Sequence, residues 1–150
     1  MIFSFFKKRI QGEEIDLCPM ITLEPKPEND YVTTLYYDMC LHGTRTVVGQ
    51  CSLRVGMNEE LYYLGNIGYT VFEEYRGHHY AYKACQLLFV EAKEKHGMEE
   101  LIITCNPDNI PSRKTLEKLN GELIEIVPLP QDHCCYRAGD REKCIFKYKL

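Results

Sequence analysis

Two runs of alternating side chains, separated by five residues, set the strongest constraint on the fold. Thr33, Leu35, Tyr37, Met39 and Leu41 fall on one side of an extended chain, and Val47, Gly49, Cys51, Leu53 and Val55 on one side of the next. His42-Gly43-Thr44-Arg45 lies between them. A side-chain repeat of two marks a half-buried strand, and a Gly-containing turn between two such runs makes an antiparallel hairpin. A third strand is expected over about Tyr62 to Phe72, and a weak first one over residues 14–24, broken by Pro19.

The repeat then changes. Ala81, Ala84, Cys85, Leu88 and Ala92 recur at helical spacing, with Leu87 widening the stripe. Lys93, Lys95 and His96 precede Gly97, a good helix ending. Leu101 to Cys105 is a short continuous apolar run, the mark of a strand buried on both faces. Asn109 can cap a shorter helix through Leu119, which Asn120-Gly121 ends. Strands follow at Leu123 to Val127 and over the alternating Cys144, Phe146, Tyr148 and Leu150. The unit from Tyr62 to Cys105 reads as strand, helix, strand, with a right-handed parallel crossover. The expected fold is α/β (α+β). It has a mixed, mostly antiparallel sheet of about seven strands and two main helices, in a single domain over residues 1–150.

Composition narrows the function classes. Eighteen Lys and Arg against 22 Asp and Glu give a net charge of -4, which disfavours non-specific nucleic-acid binding. No segment has the roughly 20 apolar residues that span a bilayer, so no membrane partner is expected. Met1 to Arg9 places its charges after a short apolar run, the reverse of a signal peptide, and reads as a terminal strand or turn. Eight cysteines without a signal peptide read as reduced thiols of a cytoplasmic protein, several of them acting as small core residues. His133-Cys134-Cys135, with Cys144 nearby, offers ligand types for a metal. Adjacent cysteines close a tetrahedral site poorly, so no metal is expected.

The chemistry concentrates in Gly65 to Ala81, where a strand ends, a short polar loop follows and a helix begins. Unpaired N–H groups at a helix start form a ready phosphate site, and Arg76, His78 and His79 add donors. Arg76 to Ala81 resembles the acetyl-CoA motif of the GNAT acyl-CoA N-acyltransferase superfamily, [Q/R]-x-x-G-x-[G/A], with Arg76 first and Ala81 last. Asn106 to Gly121 resembles that family's second motif, N-x-x-S followed by a short helix. The resemblance covers about residues 31–150.

It implies an N-acetyltransferase that moves an acetyl group from acetyl-CoA, the donor substrate, to an amine by direct attack in a ternary complex. The central strand and the next would splay to admit pantetheine. By resemblance, Val71 and Phe72 offer backbone hydrogen bonds to pantetheine. The amides of Gly77, His78, His79, Tyr80 and Ala81, with Arg76, hold the pyrophosphate, and Asn109 and Ser112 contact the donor from the second helix. Three departures stand out. His79 replaces a usual Gly, Asn66 falls where many members carry a Glu base, and Leu116 falls where many carry a Tyr acid. The general base is thus unassigned, with Asn106 and Tyr69 the catalytic candidates and Glu73 and Glu74 read as solvated. The departures keep open an alternative, a non-catalytic CoA-binding or regulatory domain.

Family members usually carry two helices between their first two strands. Pro25 and Pro27 in Leu23 to Tyr31 exclude that pair here. The acceptor side is then open, or completed by a second copy in a homodimer. An open cleft suits a peptide, a protein terminus or a bulky amine, unless the loop from Pro128 to Glu142 folds over it.

Overall fold

The computed structural model describes residues 8–150, so the expected terminal strand or turn lies, but for Lys8 and Arg9, outside the described residues. Five strands come first: β1 (Ile10–Gln11), β2 (Ile15–Leu23), β3 (Thr33–Leu41) and β4 (Val47–Val55), then, after helix α1 (Glu59–Leu64), β5 (Ile67–Val71). Helix α2 (Tyr80–His96) leads to β6 (Glu100–Cys105) and α3 (Ile110–Lys118) to β7 (Glu122–Pro128). The short α4 (Cys134–Arg137) precedes β8 (Glu142–Lys149).

The strands form two sheets, one in the order β1-β2-β3-β4-β5 and one in the order β6-β8-β7. Every paired ladder is antiparallel. The fold is α+β, and the hairpin of β3 and β4 stands where alternation places it. Pro19 does not break the first long strand. The chain absorbs it in a register shift between Pro19 and Ile21, because proline donates no ladder hydrogen bond.

The expected third strand begins later than Tyr62. Residues 59–64 are helical because Asn58 caps them: its side chain accepts the Leu61 N–H at 2.9 Å. Glu59 and Glu60 in the first turn suit the positive end of the helix. Leu61, fully buried, anchors the segment as a helix.

Between β2 and β3 the only helical element is a single turn at Pro27–Asn29. Asn29 fixes it, donating to the Glu24 carbonyl at 2.9 Å and accepting the Lys26 N–H at 2.7 Å. The usual helix pair is absent.

The core lies between the five-stranded sheet and α2. Leu17, Tyr37, Met39, Cys51, Leu53 and Ile67 meet Ala84, Cys85, Leu88 and Ala92 there. Leu101, Ile103 and Phe146 carry the same core into the second sheet. Cys40, Cys51, Cys85, Cys105 and Cys144 are buried, and burial pushes the Cys85 thiol up to about 12. These are packing residues. Gly97, at φ 63°, ends α2 with Met98 N–H returning to the Ala92 carbonyl. On the far sheet, β7 is an edge strand with Leu123, Ile124 and Ile126 between 40% and 45% exposed.

Candidate active site

β5 and β6 start side by side and then part. Asn66 N–H donates to the Ile102 carbonyl at 2.7 Å, and Asn66 Oδ1 accepts the Ile102 N–H at 2.8 Å. Its Nδ2 donates to the carbonyls of Arg54 and Gly56 at 2.9 and 2.7 Å. Gly65 makes the approach possible: at φ 87° a Cβ there would meet the β6 backbone at 3.2 Å. Beyond this clasp the two strands share no ladder and belong to different sheets. Asn66 is fully buried with every polar atom engaged, so its role is to hold the narrow end of a wedge.

The open side of the wedge is lined by backbone. Phe72 donates its N–H to the Val48 carbonyl at 2.9 Å, across the β4 ladder, and its own carbonyl accepts the Tyr75 N–H. In an antiparallel ladder successive residues turn their polar groups to opposite sides. Tyr69 and Val71 therefore turn theirs toward the side that β6 has left. The Val71 carbonyl there accepts Arg76 Nε at 3.1 Å. Of the two strand-end residues, Val71 keeps an N–H facing the gap, and Phe72 spends its own on β4.

The Tyr69 side chain points toward α3. Its hydroxyl lies 2.7 Å from Ser112 Oγ, and burial raises its pKa well above the usual phenol. Ser112 sits in the first turn of α3, where Asn109 Oδ1 accepts the Ser112 N–H at 3.3 Å. Leu116, one turn on, is fully buried, and its carbonyl accepts the Tyr148 hydroxyl at 2.7 Å.

At the start of α2, His79 is the N-cap in left-handed backbone, φ 60° and ψ 29°, with no side-chain cap bond. Gly77 is also at positive φ, 93°. The first hydrogen bond of the helix runs from Lys83 N–H to the His79 carbonyl, which leaves the preceding amides facing outward. His78 and His79 are exposed, and the His78 ring stacks on Tyr80 at 5.3 Å. The starts of α2 and α3 and the end of β5 thus lie near Tyr69, and amides at helix starts suit an anion.

Asn106 ends β6. Its Nδ2 donates to Asp140 Oδ1 at 2.8 Å, and Lys143 Nζ holds Asp140 Oδ2 at 3.1 Å. Burial opposes the charge on Asp140, but these two donors hold its carboxyl below the usual range. The amide orientation is thereby fixed, and Asn106 Oδ1 is the buried side-chain polar atom left without a partner among the described residues. Asp140 belongs to the loop between β7 and β8, which sequence reasoning left without assigned contacts.

That loop folds onto α1. His133, 1% exposed, reaches the Glu60 carbonyl through Nε2 at 3.0 Å and stacks edge-on with Tyr63. The ligand atoms of His133, Cys134 and Cys135 lie within 4.8 Å of one another. His133 Nδ1 accepts the Cys135 N–H at 3.1 Å, which makes the histidine the cap of α4. The helical turn over these residues had no periodic signal, because one turn is too short to show a period.

Comparisons agree with this geometry. By sequence, no curated protein matches the chain. Among solved structures, the acetyltransferase from Agrobacterium tumefaciens aligns with a TM-score of 0.66 at 17% identity, over 97% of this chain and 96% of that one. The Microcin C7 self immunity acetyltransferase MccE, in complex with acetyl-CoA and AMP, gives 0.60 at 17% identity, over 78% of this chain and 61% of that one. RimL, a ribosomal L7/L12 alpha-N-protein acetyltransferase in complex with coenzyme A, gives 0.61 at 15%, over 78% and 62%. The chain spans less than two thirds of the last two, and at these identities the likeness is one of fold. The acetyltransferase (GNAT) domain profile matches residues 13–122, most of the sequence. The chain belongs to the GNAT acetyltransferase family.

Proposed function

We propose that the protein is an N-acetyltransferase that moves the acetyl group of acetyl-CoA to an amine by direct attack in a ternary complex. The observation that carries this is the wedge: β5 and β6 are clasped at Asn66 and then separate, exposing strand polar groups beside two helix N-termini. Pantetheine fits the gap as an added strand would, and the pyrophosphate fits the amides from Gly77 to Ala81. Two proteins of similar structure, one in complex with acetyl-CoA and one a ribosomal-protein acetyltransferase, support this donor and a peptide or protein acceptor.

The Tyr69 or Val71 N–H stabilises the oxyanion formed when the amine attacks the thioester carbonyl. The thiolate then leaves. A thiol of this kind has a pKa of about 8.5, so water can protonate it, and the Tyr69 hydroxyl, protonated at neutral pH, is a second donor. Asn106 Oδ1 accepts an N–H of the arriving amine and orients it, with Asp140 setting the amide. Asn66 has no free atom and takes no part in proton transfer. The amine arrives neutral or loses its proton to water. With its cysteines all free, the protein suits a reducing, cytoplasmic setting.

A non-catalytic CoA-binding role is favoured by one observation, the commitment of Asn66 to structure where many members carry a base. Release of free thiol from acetyl-CoA separates the readings. With an N-terminal peptide panel, wild type should release thiol and gain the peptide acetyl mass. Coenzyme A should raise the melting temperature by an amount equivalent to about 2.7 kcal/mol at a hundredfold excess over Kd. A melting shift without thiol release on any peptide would leave only the binding role, and no shift at millimolar coenzyme A would remove both.

A further inference from the structure

β5 alternates. Tyr69 faces the helices, so Gly68 faces the opposite side of the sheet, and so does Ser52, its partner on β4. Arg54, two residues along β4, shares that face. The absent side chain of Gly68 makes room for its guanidinium: a Cβ there would lie 3.6 and 3.7 Å from Arg54 Nη1 and Nη2 and 3.2 Å from Ser52 Oγ. The guanidinium therefore lies on the face of β4 and β5 turned away from Tyr69, beside Gly65 and Gly68.

Arg54 has little company there. Nη1 donates to the Gly65 carbonyl at 3.2 Å, and no carboxylate pairs with it within 4 Å among the described residues. The ionisable groups that act on it from a distance are Tyr36, Asp30, Cys135 and Cys134, on β3, the turn before it and α4. Burial weakens its hold on its proton, yet a guanidinium stays charged at neutral pH. The remaining nitrogens of its fork are not among the buried atoms left without a partner, so they reach solvent and are open to an incoming anion. Carboxylate is the anion whose two oxygens match that fork.

We infer that Arg54 binds a carboxylate of the acceptor, so that the acetyl group goes to the amine of an acidic peptide. The inference rests on the acetyl-transfer reading of the site and adds the substrate class. Gly68 is the position that permits it, and Ser52 Oγ is a further donor beside the carboxylate. On the same reading the Asn106 oxygen, just beyond β6, takes the amine.

Two peptides test it, Ala-Glu-Ala amide and Ala-Gln-Ala amide, which differ by one carboxylate. Thiol release gives kcat/KM for each, and calorimetry with coenzyme A present gives Kd for each N-acetylated form. Wild type should prefer the Glu peptide by about tenfold or more in both measurements. Arg54→Met should bring the ratio to about one. Arg54→Lys should keep part of it, since lysine carries the charge without the fork. The melting shift with coenzyme A checks that each variant is folded. If Arg54→Met does not fold, the drop in ratio for Arg54→Lys decides. Equal use of both peptides by wild type, or an unchanged preference in the folded variants, overturns the carboxylate role and leaves acetyl transfer standing. Arg54-dependent binding of the acetylated Glu peptide with no thiol release supports the anion site and overturns acetyl transfer. Failure of both acetylated peptides to bind at millimolar concentration overturns the Arg54 inference.

Discussion

Asp16 is a buried carboxylate that the chain surrounds with donors. It accepts the Gly43 N–H at 3.0 Å, the Gly12 N–H at 3.2 Å and Arg9 Nη1 at 3.3 Å, and it meets His42 Nδ1 at 2.7 Å. Burial alone would raise its pKa, but these partners outweigh burial and lower it to about 2. The sign follows from linkage. The folded value lies below the unfolded one, so the stabilisation is complete above about pH 4 and is lost as pH falls through about 2. It amounts to about 2 kcal/mol. Asp16→Asn should lower stability at pH 7 by that order and flatten the acid limb between pH 4 and 2 in urea titrations. An acid limb identical to wild type would remove Asp16 from the account. Nothing in the spacing around Asp16 announces this cluster, because Arg9, Gly12, His42 and Gly43 reach it only once the strands pair. His79 is different. The motif itself marks it as a residue in a glycine's place, and its left-handed backbone supplies the reason.

The elements that were legible are those with a sustained period. β3, β4 and α2 emerge from alternation and from a helical stripe with a glycine stop. Helix α3 emerges from its cap, Asn109, and its ending at Asn120-Gly121. The helix at 59–64 was hidden because tyrosines favour strands and a single turn of Leu61 anchoring does not build a stripe. The wedge was legible only through resemblance. Parting two strands depends on Gly65 and on the amide of Asn66, and no periodicity encodes a clasp. Gly121 shows how closely α3 is fitted to β8. A Cβ there would come within 2.4 Å of the Tyr148 ring, whose hydroxyl is already fixed on the Leu116 carbonyl. A rigid aromatic cannot yield cheaply. Gly121→Ala should cost about 1–3 kcal/mol, measured by denaturant unfolding, and an unchanged midpoint would mean that the turn shifts freely.

At the scale of the whole molecule, two antiparallel sheets share one junction and one core, and α2 and Arg54 lie on opposite faces of the five-stranded sheet. That division explains why the candidate site was half readable. Amides at helix starts are carried by local sequence, while Arg54 and the Asn106–Asp140 pair take their places only through tertiary folding. The edge strand β7 has a consequence of another kind, for how the protein behaves in the tube. Leu123, Ile124 and Ile126 are exposed along an edge with no further strand, and Glu122 and Glu125 are the charged residues among them. The chain carries a charge of -4 at pH 7 and reaches neutrality near pH 5.7. Mutual repulsion therefore fades as the buffer is acidified, while the sticky rim stays. Light scattering at fixed concentration should rise between pH 7.5 and 5.7. Ile126→Glu, which adds charge of the sign the chain already carries, should suppress the rise, and equal scattering by wild type and variant would place the self-association elsewhere. Storage on the alkaline side of neutrality follows from the same reasoning.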